Sequence, residues 1–248
     1  MNTFKRIAGL TAIALFLGTS VFAQKKVAVV TFYADKHIDF QALGGGAGLV
    51  AAIGSLSEDE NFNLQPVLDN FHETFFKEYA SQFPFELMAE EDVINNADYQ
   101  AYDSRHGESN DEDRNKFFQR YLTYEGYKPM ADNVLLKKNS NELAMLDIFK
   151  DVDGVMFVNL EYAFVKKTVP FTAGVQAYVS MRLYNKEGKK VFKIRKLATS
   201  KKSVAIVAGI PIMSPDKLLP LCENATAEVI EDLNKKLKKV AAKSAKKL

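Results

Sequence analysis

The chain has one cysteine, Cys222, and no tryptophan in 248 residues. A single thiol excludes an internal disulfide framework and any zinc site built from several cysteines. Histidine is scarce too: His37, His72 and His106 are too few and too scattered to show a ligand set. His72-Glu73 starts like a zinc-protease helix, but Phe76 stands where the second histidine would have to share the face. An excess of one charge is also missing. There are 33 Lys and Arg against 31 Asp and Glu, and Lys5 and Arg6 near the N-terminus account for the difference. A nearly neutral chain is not a generally basic nucleic-acid binder, so no nucleic-acid partner is expected.

Reactive motifs fail on their physical requirements. Gly46-Ala47-Gly48-Leu49-Val50-Ala51 spells a dinucleotide fingerprint, but about a dozen residues separate it from the strand ending at Tyr33. The helix N-H groups would therefore not meet a pyrophosphate, and no cofactor is expected. Glu108, Asp111, Glu112 and Asp113 lack the central glycine and distal glutamate of a calcium loop. Asp35, His37 and Asp39 alternate as an exposed strand end would, and no metal is expected there. Ser55 and Ser57 lie outside any nucleophile elbow. With no convergent acid, base and nucleophile, the chain is expected not to be an enzyme.

The N-terminus has the form of a secretory signal. Lys5 and Arg6 precede an uncharged run from Ile7, and Val21-Phe22-Ala23 offers a small-x-small cleavage site, leaving Gln24 first. An uncleaved membrane anchor is the rival reading, but the 18 uncharged positions over 7–24 are marginal for a span and the last third is polar or small. No cysteine near the cleavage point could carry lipid, so a soluble periplasmic or secreted product is expected. The expected organisation is a signal peptide over 1–23, one domain over 24–241 and a basic tail over 242–248.

Periodicity gives the elements. Lys25–Tyr33 reads as a central strand covered on both faces. Leu64, Val67, Leu68, Phe71, Phe75 and Tyr79 stripe a helix to about Ser81, and Pro84 marks a short edge strand. A helix from about Glu90 and another from Asp111 to Tyr124, capped by Asn110 or Asp111, are expected. A third runs to Lys150 behind Asn139 or Ser140, with Leu143, Leu146 and Phe149 inward. Val155–Phe164 is a buried strand. Residues 175–184 alternate with period two, turn through Asn185-Lys186-Glu187-Gly188 and return over Val191–Thr199. Ser214-Pro215 opens a long last helix with Leu218, Cys222, Ala225, Val229, Leu233, Leu237 and Val240 on one side. Cys222 on that stripe reads as an inert buried thiol. The fold class is thus α/β: a single domain with a mixed sheet of about five strands, a C-terminal antiparallel hairpin and flanking helices. The first and third strands are expected to be parallel.

This order, with KKVAVVTFY first, LDIFKDVDGVMFVNL in the middle and VSMRLYNKEGKKVFK as the hairpin, resembles the amino-terminal domain of TolB. It is also similar to the periplasmic domain of the curli secretion lipoprotein. The stretches 40–60 and 89–139 are insertions relative to that pattern, and the lipidated cysteine is absent. The resemblance implies a non-enzymatic module of envelope assembly, docking or transport that works through contacts with envelope proteins. A small-ligand binder with a lid over 40–57, and a hydrolase whose site assembles only in three dimensions, remain as alternatives.

Two features suggest surfaces. Residues 58–133 hold 18 acids and 6 bases, whereas 134–248 hold 22 bases and 11 acids. Such segregation either drives partner contact or self-association, or is neutralised internally. The Lys-rich C-terminal run could touch a membrane surface, or simply be a solvated helix face. Second, 40–57 and 203–213 are apolar and glycine-containing. Gly44, Gly45, Gly46, Gly48, Leu49, Val50 and Ile53, with Ile206, Ile210 and Ile212, form a candidate interaction segment. Ordering such sequence costs entropy, so it must pack on its own domain, as a loop with a helix near Ala47–Leu56, or on a partner or a membrane.

Overall fold

An apolar, β-branched run makes the strand around which the rest assembles. The computed structural model describes residues 25–44, 46–104, 115, 118–132, 140–242 and 247–248. The leader and most of the basic tail lie outside these, as do Gly45, His106, Glu108 and Asp111–Asp113. Strand β1, Lys26–Asp39, carries Val27 to Ala34 fully inside. It continues past Tyr33 because Ile38 is buried and Asp35 finds a cationic partner. Parallel β4, Gly154–Lys166, lines one edge of β1. The other edge is shared by β2, Glu86–Leu87, and β3, Tyr121–Thr123.

β5, Thr172–Asn185, pairs antiparallel with β4 along its whole length, Gly154 facing Asn185 and Lys166 facing Ala173. Its far edge takes β6, Lys190–Thr199, and then β7, Val204–Val207, which turns into β8, Ile210–Pro211. Gly188 closes the β5–β6 turn at φ +69°, a region other residues enter only with strain. The result is one α/β domain on a mixed, open sheet of eight strands. The strands beyond the expected five are short marginal pieces, too brief for a periodicity to register.

Most of the core lies on one sheet face, with Val155 and Phe157 on the other. Helix α1, Ala47–Glu58, precedes α2, Gln65–Thr74, which runs on through tighter and wider turns to Gln82. Its expected stripe, Leu64 to Tyr79, is buried. Phe32 of β1 lies 5.0 Å from Phe71 and 5.5 Å from Phe75, with Tyr127 at 6.2 Å. Short helices α3, Glu90–Ile94, and α4, Ala97–Ala101, follow, and the Tyr99 hydroxyl donates to the Val30 carbonyl. Ser140 caps α5, Asn141–Ile148, accepting from the Leu143 amide. The last helix, α6, Pro215–Ala241, passes unbroken through Pro220. It is tied to the sheet by Tyr162 and Thr226, 2.9 Å apart, and to α2 by Tyr79 donating to the Ile230 carbonyl. Cys222 is buried, and burial pushes its thiol pKa up.

Three expectations need correction. Tyr121–Thr123 is strand, not helix end, because its backbone fills the open edge of β1 beside Tyr33; the proposed cap lies outside the described residues. In α5 the buried side chains are Asn141, Glu142 and Met145, then Phe149 just beyond it, with Leu143 and Leu146 only half-buried. On α6 Val240 is exposed and Ala241 takes the inward position.

Candidate functional site

Period-two alternation sends the other half of each strand to a second, polar face. Tyr33, Asn159, Ser180 and Arg195 stand in one cross-strand row, with Glu161, Tyr178 and Leu197 in the next. A polar face this far inside the fold survives only if its groups are paired. Asp132 receives Arg182, the Tyr184 hydroxyl and, at 3.2 Å, Lys190. Burial pushes its carboxyl up, but Arg182, Tyr184 and Lys190 outweigh that and hold it below the usual range. Arg182 also donates to Asn159 at 2.7 Å, and Asn159 donates to Glu161 at 2.7 Å. Asp132 is where the acidic region of the sequence meets the basic one.

The row opens into a cleft of about 280 Å³ lined by Asp35, His37, Asp39, Arg120, Tyr121, Glu161, Tyr162, Ala163, Tyr178 and Arg195. Arg120 grips Asp35 with two donors, Nε reaching Oδ1 at 2.8 Å. Tyr121 stacks on Tyr33 at 4.3 Å. Arg195 lies 4.3 Å over the Tyr178 ring and 3.9 Å from Glu161, a loose bridge on an exposed side chain. Burial, and then the Arg120 charge, lower the His37 pKa against the pull of Asp35 and Asp39, which favours the neutral ring. Among the described residues, the lining holds no serine, threonine, cysteine or lysine, but it does bring His37 together with the carboxylates of Asp35, Asp39 and Glu161. Chemically, the cleft can present arginine, carboxylate and tyrosine to a partner that carries both charges.

Asp35 is therefore buried and ion-paired rather than part of an exposed strand end; His37 is half-buried and Asp39 exposed. Among the described residues, no three His, Cys, Asp or Glu side chains are grouped to hold a metal ion. His72 meets Glu90 at 2.5 Å, but Tyr124 stacks on its ring at 3.4 Å and Phe76 lies at 4.6 Å. That covers the imidazole and makes it a tie between α2 and α3.

The glycine-containing segments are brought together at one end of the sheet. Gly46 precedes α1, whose Leu49 and Ile53 are buried while Val50 faces out. Gly48 sits against Ile210, where a Cβ would come 3.3 Å from its side chain. Ile206 is half-buried, Ile212 exposed, and Gly44 takes φ +82° before α1. Sequence reasoning missed the residues that share this end from the β4–β5 turn, Val169 and Phe171. Pro170 between them was the available signal, since it marks a tight turn. It also missed Arg120, Tyr121 and Arg195, which reach the cleft from separate elements. No family model matches the chain, and no curated protein matches it.

Proposed function

We propose that this chain is an exported, non-catalytic module of the cell envelope that works in assembly, docking or transport through contacts with envelope proteins. The observation that carries this reading is the cleft: arginines, tyrosines and carboxylates gathered on a sheet, with Arg120 held on Asp35 and Arg195 on Glu161. Tyrosine and arginine are the side chains most often found to anchor protein contacts. Arg195 can leave its 3.9 Å bridge for a partner carboxylate at little cost, because an exposed pair is worth little. Export rests on the leader. Among the described residues, no helix is long and apolar enough to cross a membrane.

Arg195→Glu is the test variant. It would place a carboxylate beside Glu161 at the mouth of the cleft, leaving the core untouched. Co-isolation of envelope partners with the chain is expected to fall by roughly tenfold or more, with thermal stability nearly unchanged. Undiminished co-isolation by this variant would remove the cleft from the contact.

A further inference from the structure

Three stretches of the sequence, 40–57, 166–172 and 201–213, contain four lysines and no acidic residue. The fold joins them. Thr172 pairs with Ala205, the Ile206 amide donates to the Phe171 carbonyl at 2.7 Å, and the Ile212 amide donates to Ala205 at 3.0 Å. Ile210 of the same hairpin touches α1 at Gly48. On this end Phe171 is 81% exposed, Val207 64%, Val169 63%, Val50 53% and Ile212 42%. They are five of the seven large hydrophobic side chains exposed among the described residues. Scattered apolar side chains need no explanation, but a gathered set does.

Backbone geometry is a second, independent sign. Phe171 is held at φ +56° and Ala208 at φ +52°, in a region that costs any side chain energy and a bulky one most. The strain at Phe171 holds its ring in water, where its own domain gives nothing back, as strain kept for function does. The lysines lie together at the base of the β4–β5 turn and β7. Lys166 and Lys202 are exposed, Lys201 pairs with Glu228 at 2.5 Å, and Lys167 folds back onto the Ser200 carbonyl.

We propose that the β4–β5 turn, the β7–β8 hairpin and the first turn of α1 form a seat for an anionic lipid surface. Phe171 and Val207 enter the interface, and Lys166 and Lys202 meet the headgroups. Loop tips carrying an aromatic ring and valines, flanked by amphipathic lysines and with no acid in their own sequence, match the layering of such a surface. A two-fold pairing of this end with a second copy would instead set lysines against lysines. The inference deepens the docking reading by giving this end its own partner, and it leaves the cleft to proteins.

The test is flotation of the chain from Gln24 onward, which holds every described residue, with phosphatidylglycerol–phosphatidylcholine vesicles and with phosphatidylcholine alone. Binding is expected on the anionic vesicles, falling with added salt. Phe171→Asn should weaken it roughly tenfold, and the Lys166→Glu, Lys202→Glu pair should abolish it. Asparagine tolerates the left-handed region, so Phe171→Asn should unfold at the same temperature as the parent or higher, which separates lost binding from lost fold. The proposal is overturned by absent binding to anionic vesicles, by equal binding to phosphatidylcholine, or by undiminished binding of Phe171→Asn. Self-association that Phe171→Asn disperses, without vesicle binding, would assign this end to a second copy and overturn it too. None of these results alters what Arg195→Glu does to protein contacts, so the two readings fail separately.

Discussion

Asp132→Ala should lower the unfolding free energy by about 3–5 kcal/mol, because it leaves the Arg182 guanidinium buried with its principal counter-charge gone. Asn159 would still accept from Arg182, and Lys190 would be left without the 3.2 Å contact. Replacing Arg182 by methionine in the same chain should recover much of the loss, since an apolar pair of similar volume is often as stable as a buried ion pair. Denaturant unfolding at pH 7 measures both. The pH dependence has a definite sign. The folded-state pKa of Asp132 is depressed, so its contribution is full above the unfolded value, about 3.9, and is lost as pH falls through the folded one. The difference between the parent and Asp132→Ala should therefore shrink below about pH 4. An equal difference at pH 7 and pH 3 would mean that the carboxylate charge is not what stabilises this face.

Phe32→Ala should cost a similar amount, about 3–5 kcal/mol, by a different mechanism. The Phe32 ring is fully buried and meets Phe71, Phe75, Tyr127 and the edge of His72 at 5.1 Å. These neighbours come from α2 with its continuation and from the segment after β3, so no single element can collapse to fill the space. Unlike the Asp132 effect, this loss should be flat across pH 3–7. A cost below about 1.5 kcal/mol would show that the cluster relaxes around the gap.

Where the pattern was long, the fold was legible. The Leu64–Tyr79 stripe, the alternation over 175–184, the turn at Gly188 and the parallel β1 and β4 all follow from periodicity and turn chemistry within single segments. Short strands were not. β3 is strand because β1 offers it an edge, a fact that three residues, Tyr121 to Thr123, cannot carry by themselves. The cleft was hidden for the same reason. Asp35, His37 and Asp39 were visible as polar alternation, but the Asp35 partner is 85 residues away at Arg120, and Glu161 and Arg195, which line the same cleft, are further still. Nothing local to Asp35 shows that a guanidinium will neutralise it. For the apolar end, the sequence showed two of its three segments. Lys166–Thr172 has no glycine-containing apolar pattern of its own, and only the pairing of Thr172 with Ala205 places it beside them.

Export followed by work through surface contact is tested most directly by photo-crosslinking in living cells. A photoreactive residue would stand at position 178, on the cleft wall, with position 239 on the exposed side of α6 as the control. A discrete protein adduct at 178, absent at 239, on a chain that begins at Gln24 in the envelope fraction is the result expected. The account is contradicted by a chain that stays in the cytosol with residues 1–23 attached, or by adducts that are absent at 178 or the same at both positions.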